Sequence, residues 1–418
     1  MAVALLLIAA LAIFTYALVS RVLERSVVSA PILFTALGVL VGPAVLGWVE
    51  VSSLGTGTVG VFAEATLVLV LFTDAIRIDI RKLRGDAGIP LRLLSIGLPL
   101  TVALGAFVGY TLFESFDLAA AFVLAAILAP TDAALGKAVV ASAIVPLRVR
   151  QSLNVESGLN DGLMLPVVTV AVTLLAEDAG MIDTSVVGLL ASQIGLAVLV
   201  AIVIGWSGGH LLDRFASRGL VDGVMRQLAT LAIGVGAFAV AEIVGGNGFV
   251  AAFVAGIAFG VAARDHCAGA YDFAADEGEL LTLVTFLLFG VAVVGRAFDT
   301  FSWATVAYVA ASLTVVRLVP VAISLIGAGL RLPTILFIGW FGPRGLASIL
   351  FGVFLLEESG VPINNSIFSV VVLTVLVSVV AHGATAPVLS RRYGTWFNRQ
   401  DPAGMMEAGE MFEHPIRG

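Results

Sequence analysis

Residues 130–137 read PTDAALGK and lie within an apolar stretch that extends from 117 to 141. Pro130 removes a backbone donor and clashes with the preceding turn, so a helix that crosses a membrane here should be broken beside Thr131 and Asp132. Freed carbonyls and the Asp132 carboxylate would offer oxygen ligands to a hard cation. The stretch therefore predicts a discontinuous membrane helix with an acid at its break. The alternative is a proline kink with a hydrogen-bonded aspartate.

The composition indicates that most of the chain lies in a lipid bilayer. Of 418 residues, 60% are hydrophobic and only 12% are charged, whereas soluble proteins carry about twice that fraction of charged residues. The single cysteine, Cys267, excludes a disulfide framework and a Cys-rich metal site. No basic cluster indicates a nucleic-acid partner. We therefore expect no soluble domain and no redox centre.

Apolar runs separated by Gly, Pro and charged residues predict an all-α integral membrane protein with about thirteen transmembrane helices. The predicted spans are 2–20, 27–48, 59–78, 89–113, 117–141, 152–176, 185–212, 226–244, 247–263, 279–297, 302–330, 334–356 and 365–390. The first span could be a signal peptide, but it has no preceding basic residue and is too long for a typical core of about 7–15 residues. Residues 245–248 are interpreted as a turn between two helices, although one interrupted helix would also fit.

The charges between the spans predict the orientation of the chain. Sixteen basic residues fall in loops after odd-numbered spans and at the start of the C-terminal tail, and only Arg296 falls in the other loops. The positive-inside rule then places the N-terminus outside and the C-terminus in the cytoplasm, in a multi-pass protein of the cell (inner) membrane. Residues 1–390 are predicted to form the transmembrane domain and residues 391–418 a short cytoplasmic tail.

The sixth span carries a second polar motif, NVESGLNDGL, at residues 154–163. Glu156 and Asn160 are four residues apart, as are Ser157 and Asp161, so two adjacent polar stripes should face the same interior. Burial disfavours the charged form of a carboxylate, which lets a proton and a cation compete for it. The motif predicts an exchange site, and the alternative is a helix interface fixed by hydrogen bonds.

The twelfth span contains WFGPRGLAS at residues 340–348, which predicts a second break beside Pro343 and Arg344. Because the fifth and twelfth spans are seven apart, they should cross the membrane in opposite directions. This offset favours inverted repeats at about 1–176 and 226–390, joined by a linker helix at 185–212. Arg344 cannot lose its charge and needs an anion, and we expect Glu156 to be its partner.

Other ionisable residues within the spans are weaker signals, since each has a structural explanation. Asp74 is either an ion ligand or a charge at a helix end. Lys137 could pair with Asp132 or extend to the cytoplasmic surface. His382 could tune the pH response or make an ordinary polar contact. Three further charges are expected to form internal pairs or to line a funnel: Glu64, Glu242 and Arg317.

The motifs PTDAALGK, ESGLND and FGPRGLAS together resemble the monovalent cation/proton antiporter-1 family, which includes the NhaP-type sodium/proton antiporters. The resemblance covers nearly the whole chain. It implies thirteen helices in NhaA-like inverted repeats, two crossing broken helices, an outside N-terminus and a homodimer. It also implies exchange of Na⁺ or another monovalent cation for H⁺ by alternating access, with no enzymatic reaction and no cofactor.

The resemblance also implies roles for individual residues. It implies binding of the ion or the proton by Asp161, Asp132, Asn160, Ser157, Thr131 and Asp74. Glu156 and Arg344 match the buried ion pair of the family. Asn160 stands where electrogenic relatives have a second aspartate, which implies electroneutral exchange. Gly158 and Leu159 depart from the bulkier residues usual at those positions.

Three alternatives remain from the residues alone. The first is a K⁺/H⁺ antiporter of the same fold, because selectivity depends on small differences in ligand spacing that a sequence does not reveal. The second is an intramembrane aspartyl protease that uses Asp132 and Asp161, although its usual Gly-x-Gly-Asp motif is absent. The third is a carrier of organic solutes or anions, against which the excess of embedded carboxylates argues.

Overall fold

A computed structural model describes residues 2–23, 26–49, 56–76, 88–132, 135–178, 186–263, 268–294, 302–358, 365–400 and 406–408. Every regular element within these ranges is helical, as predicted. Cys267, the loop charge Arg296 and most of the predicted tail lie outside the described residues.

The helices are numbered here in chain order. They are α1 Ala2–Leu23, α2 Ala30–Val41, α3 Thr56–Ile76, α4 Gly88–Leu112, α5 Leu118–Leu128, α6 Lys137–Val140, α7 Leu147–Asp178, α8 Val186–Ser217, α9 Gly223–Ile243, α10 Gly248–Ala262, α11 Ala268–Leu288, α12 Trp303–Ser324, α13 Leu332–Trp340, α14 Leu346–Glu358 and α15 Asn365–Asn398. A π-helical turn interrupts α4 at Leu93–Gly97, and another continues α11 at Phe289–Val293. The helix α12 has a break at Thr314.

Helices that could cross a membrane occur along the whole described part of the chain. Seven of the described helices are long and apolar enough to cross a membrane, and several shorter apolar helices accompany them. Every predicted span contains a described helix. Gly245, with φ +82°, lies in a turn between α9 and α10, so the interpretation of two helices is confirmed there.

Two helices differ in length from the prediction. The helix α2 is shorter than the span 27–48, because Pro31 fixes its first turn and the chain becomes extended at Gly42. In contrast, α15 continues past residue 390 to Asn398. One side of its last turns is buried, where Tyr393 stacks on Phe337 of α13 with ring centroids 4.2 Å apart. Aromatic contacts therefore extend this helix beyond the purely apolar stretch.

A short segment of the tail also packs on the helical body. The buried Glu407 carboxylate accepts hydrogen bonds from the Arg331 backbone nitrogen and the Thr334 hydroxyl, both at 2.9 Å. The first donor is the backbone nitrogen of the N-cap residue of α13, and the second is a side chain in its first turn, where a helix leaves backbone groups without i−4 partners. Arg148 at the start of α7 donates to the Met406 carbonyl at 3.0 Å. Residues 406–408 thus cap α13 and contact α7.

Glycines allow the central helices to approach closely. A Cβ on Gly256 of α10 would collide with the Phe72 carbonyl of α3, and one on Gly205 of α8 would collide with the Ala255 carbonyl. On the other side of the molecule, a Cβ on Gly38 of α2 would collide with the Leu287 carbonyl of α11. Small residues at such contacts allow van der Waals packing between membrane helices, where the hydrophobic effect contributes little.

The variant Gly38→Ala should test the contact between α2 and α11. Its methyl group would meet backbone rather than a flexible side chain, so we expect a loss of about 1–3 kcal/mol in unfolding free energy. The measurement is thermal unfolding in detergent. The control is Gly195→Ala on α8, where no atom lies within 4 Å of the new methyl group. Equal melting temperatures for the two variants would contradict the close approach.

Candidate ion-binding site

The first predicted break is confirmed. The helix α5 ends at Leu128, and the chain from 129 to 132 is not helical before α6 begins at Lys137. The second break is confirmed as well, since residues 341–345 are non-helical between α13 and α14. The fifth and twelfth predicted spans are therefore discontinuous. The first break lies between α5 and the one-turn helix α6, and the second lies between α13 and α14.

The two breaks cross and bind each other through backbone and side-chain hydrogen bonds. The Asp132 backbone nitrogen donates to the Pro343 carbonyl at 2.8 Å, and the Leu346 backbone nitrogen donates to Asp132 Oδ2 at 2.8 Å. In return, Arg344 Nη1 donates to the Ala129 carbonyl at 2.8 Å. Ser348 Oγ donates to the Ile127 carbonyl, also at 2.8 Å. Polar groups that one break exposes are thus satisfied by the other.

The charges at this crossing match the helix dipoles. The Asp132 carboxylate lies at the N-terminus of α14, where the helix carries partial positive charge. The Arg344 guanidinium lies against the last carbonyls of α5, where the partial charge is negative. The carbonyls of Ile127, Ala129 and Pro130 accept hydrogen bonds from the second break, and binding of the cation by freed carbonyls of the first break stays a prediction.

Three of the predicted ligand residues are hydrogen-bonded to one another beside the crossing. Thr131 Oγ1 lies 3.0 Å from Ser157 Oγ and accepts a hydrogen bond from Asn160 Nδ2 at 2.7 Å. All three side chains are buried. The Asn160 Oδ1 atom is buried and has no hydrogen-bond partner among the described residues. This cluster joins α7 to the first break and presents an amide oxygen that is available to a ligand.

The three predicted aspartates are all buried near these elements. Asp132 follows Thr131 at the break, Asp161 follows Asn160 on α7, and Asp74 is on α3, which packs against α7. Asp161 is 6% exposed. The next residue, Gly162, contacts the Phe253 ring of α10 so closely that a Cβ would overlap it. The α7 backbone beside Asp161 therefore packs closely against α10.

The partner predicted for Glu156 is wrong. Both Glu156 carboxylate oxygens accept hydrogen bonds from Arg317 of α12, at 2.6 and 2.8 Å, and both side chains are fully buried. Arg344 instead donates to the carbonyls of α5, and its Nε and Nη2 atoms have no hydrogen-bond partner in the described part of the chain. The expectation of an internal pair for Arg317 is confirmed. The sequence alone could not show which arginine pairs with Glu156, because both arginines lie near the second break. Arg317 reaches the break because Gly342 has no side chain, and a Cβ there would overlap Arg317 Nε.

Two residues of α15 brace the second break from both sides, and the motifs did not predict them. The Arg344 backbone nitrogen donates to Ser378 Oγ at 2.7 Å, and this oxygen lies 3.1 Å from His382 Nδ1. On the other side, His382 Nε2 lies 3.0 Å from the Trp340 carbonyl at the end of α13. His382 is thus a positioning contact for the break. The four-residue spacing of Ser378 and His382 in an apolar helix was the available signal.

Two other embedded charges also find partners. Lys137 forms a salt bridge of 3.4 Å with Glu279 of α11, instead of pairing with Asp132. The Glu242 carboxylate accepts a hydrogen bond of 2.6 Å from the Gly248 backbone nitrogen, across the turn between α9 and α10. These contacts are structural, as was expected for Glu242.

Because Glu156 pairs with Arg317, removing the charge of Glu156 should destabilise the fold. In Glu156→Gln, a buried guanidinium loses its counter-charge, so we expect a loss of about 3–5 kcal/mol in unfolding free energy. Thermal unfolding in detergent measures it. The control, Lys137→Met, breaks the more exposed pair with Glu279 and should cost about 1 kcal/mol or less. A double-mutant cycle should couple Glu156 to Arg317 more strongly than to Arg344, and the reverse order would contradict the pairing.

Comparison with solved structures shows the fold. The chain superimposes on the sodium proton antiporter MjNhaP1 from Methanocaldococcus jannaschii, in its structure at pH 8, with a TM-score of 0.76 and 18% identity. The match covers 93% of this chain and 97% of that one. A second structure of MjNhaP1, an electron microscopy map, gives a TM-score of 0.72 and 19% identity.

Curated relatives are similar at low identity. The K(+)/H(+) antiporter NhaP of Alkalimonas amylolytica is 26% identical over 375 residues, which are 88% of this chain and 63% of that protein. The K(+)/H(+) antiporter NhaP2 of Shewanella sp. (strain ANA-3) is 23% identical over 387 residues, or 92% of this chain and 66% of that protein. This chain spans less than two thirds of the length of these relatives.

A family model described as sodium/hydrogen exchanger, transmembrane, matches residues 6–392, which is nearly the whole described structure. This match agrees with the resemblance carried by the three motifs. The protein belongs to the transmembrane sodium/hydrogen exchanger family.

Proposed function

We propose that this protein is a secondary antiporter that exchanges a monovalent cation for H⁺ across the membrane by alternating access. The supporting observation is the buried cluster of Thr131, Ser157 and Asn160 between two acids, Asp132 and Asp161, at the crossing of two broken helices. Neutral oxygen ligands beside carboxylates suit a hard, monovalent cation. No covalent chemistry is needed, because the reaction is competition for one site.

In the proposed mechanism, Asp161 carries the proton and the cation alternately. Burial disfavours its charged form, so the carboxylate is occupied either by a proton or by a cation with help from Ser157, Thr131 and the amide oxygen of Asn160. Asp74 is proposed as a further acidic ligand. Asp132 contributes charge near the site while it caps α14. Glu156 stays paired with Arg317 and takes no part in proton exchange.

Na⁺ and K⁺ are both candidate substrates of the proposed antiporter. The curated relatives are named K(+)/H(+) antiporters, whereas the structural relative is named a sodium proton antiporter. Asn160 contributes an uncharged side chain where a second carboxylate would release another proton. We therefore propose electroneutral exchange of Na⁺ or K⁺ for one H⁺.

The proposed setting is a homodimer in the cell (inner) membrane. The distribution of basic residues supports an outside N-terminus and a cytoplasmic C-terminus. The two broken helices support inverted repeats at about 1–176 and 226–390, with α8 as the linker.

The alternative of an aspartyl protease finds no support in the geometry. A shared-proton dyad needs two carboxylates in direct contact. Here Asp132 Oδ2 accepts the backbone nitrogen of Leu346 as a helix cap, and the crossing of the two breaks has no role in proteolysis.

Proteoliposomes with an imposed pH gradient test the proposed exchange. Adding Na⁺ or K⁺ should collapse the gradient, and the ranking of the cations names the substrate. Asp161→Ala should abolish the response, since it removes the exchangeable carboxylate. Apparent cation affinity should fall as pH drops from about 9 to about 6, because protons then compete for the site.

Glu242→Gln is the matched control, because it neutralises another embedded carboxylate that only bonds a turn. Its response to cations should equal that of the wild type. Unchanged exchange in a folded Asp161→Ala variant, or an affinity independent of pH, would sink the proposed mechanism.

The orientation can be tested on the native sequence, since Cys267 is the only cysteine. It follows the ninth predicted span, on the side that the charges assign to the cytoplasm. A membrane-impermeant maleimide should label it in inside-out vesicles and leave it unlabelled in right-side-out vesicles. The opposite pattern would reverse the proposed topology.

A further inference from the structure

A cavity of about 450 Å³ lies away from the ion-binding cluster. It is bounded by the end of α1, the start of α2, the chain around α6, one turn of α11 and the last third of α15. None of the predicted ion ligands lines it. Leu135 and Leu283 form part of its wall and belong to a buried apolar cluster with Phe34 and Phe286. The wall of the cavity is therefore made of other residues than the predicted ion ligands, and its volume is typical of small-molecule sites.

Two buried hydroxyl groups in the wall of this cavity have no partner among the described residues. They are Ser29 Oγ and Ser390 Oγ, and Ser390 is only 2% exposed. A buried hydroxyl without a hydrogen bond costs about 1–3 kcal/mol, so such groups usually mark a missing polar ligand. Ser29 Oγ lies near Gly383, where α2 and α15 meet at the cavity.

The same wall has a positive character. Ser29 is the N-cap residue of α2, and its side chain makes no capping bond, so the first backbone nitrogens of this helix remain available at Ala30 and Ile32. Arg391 and Lys137 also line the cavity. Glu279 is the acidic residue among the lining side chains, and it is held at 3.4 Å by Lys137. Among the residues that the structure describes, the charged side chains that line the cavity therefore sum to one positive charge.

We propose that this cavity binds the phosphate group of an anionic lipid. The phosphate would accept hydrogen bonds from Ser29, Ser390 and the N-terminus of α2, and it would face the Arg391 guanidinium. Most of the other lining residues are apolar, such as Leu23, Val28 and Ala386, which suits the glycerol and the first part of an acyl chain.

The place of the cavity favours a lipid as the carrier of this phosphate. Its lining residues from α1 and α15, among them Leu23 and Arg391, are close in sequence to basic residues that the charge distribution assigns to the cytoplasmic side. Basic residues at that level attract the anionic lipids of the cytoplasmic leaflet. The site touches both half-helix α6 and the neighbouring helices α2 and α11, so an occupant would bridge the broken helix to the elements beside it.

Lipid retention on the whole protein tests the site without reference to transport. Protein in detergent is equilibrated with phosphatidylglycerol or phosphatidylcholine, and bound lipids are counted by native mass spectrometry. Arg391→Gln should weaken phosphatidylglycerol binding about fivefold. Arg392→Gln is the matched control, since it removes the same charge from the next exposed residue, which does not line the cavity. A second variant, Ala141→Phe, fills the cavity and should reduce binding even with all charges present.

The outcomes separate the possibilities. Specific loss of phosphatidylglycerol in Arg391→Gln and Ala141→Phe, with retention in Arg392→Gln, supports the proposal. Equal binding by Arg391→Gln and Arg392→Gln overturns it, as does equal retention of phosphatidylcholine by the wild type. Inorganic phosphate is added alone as a second probe. One result would overturn the lipid as the carrier of the phosphate. In that result, inorganic phosphate raises the melting temperature of the wild type but not of Arg391→Gln, and phosphatidylglycerol does not bind.

Discussion

The reciprocal capping of two helix breaks is the interaction on which the rest of this structure depends. Breaking a helix inside a bilayer exposes backbone groups that lipid cannot satisfy. Here each break supplies what the other lacks, with the Asp132 carboxylate at the start of α14 and the Arg344 guanidinium at the end of α5. The charges have the sign that each helix end favours. Removing the Asp132 side chain would deprive the Leu346 backbone nitrogen of this acceptor, and removing the Arg344 side chain would deprive the Ala129 carbonyl of this donor.

Capping also connects the candidate site to the shape of the bundle. Thr131 immediately precedes Asp132, so the hydroxyl that contacts Ser157 and Asn160 is held in place by the crossing. The Glu156–Arg317 pair joins the same face of α7 to α12, one residue before Ser157. Ser378 and His382 then hold the second break from α15. Hydrogen bonds made by the cluster, by its neighbours in the chain and by the second break therefore connect it to α7, α12, α14 and α15.

The sequence predicted what local chemistry determines. Proline removes a backbone donor and clashes with the preceding turn, and PTDAALGK and FGPRGLAS combine it with glycine and a charged residue, so both breaks could be found from these motifs. Proline alone does not predict a break, because α7 continues through Pro166 and α15 through Pro387. The four-residue spacings of Glu156 and Asn160 and of Ser157 and Asp161 likewise predicted two adjacent polar stripes on α7. The partner of Glu156 could not be found in this way, because two arginines lie near the second break and only the packing of α12 on Gly342 selects Arg317. The bracing by His382 depends on the rotation of α15, which no local pattern specifies.

Glu407 shows that hydropathy and structural boundaries need not coincide. The last strongly apolar stretch finishes near residue 390, yet the first turn of α13 is capped by a carboxylate well beyond it. That half-helix leads directly to the second break, and the same short segment contacts the start of α7 through Arg148. A helical domain delimited by hydrophobicity alone would consequently lack residues 406–408, which hold the start of α13 in place.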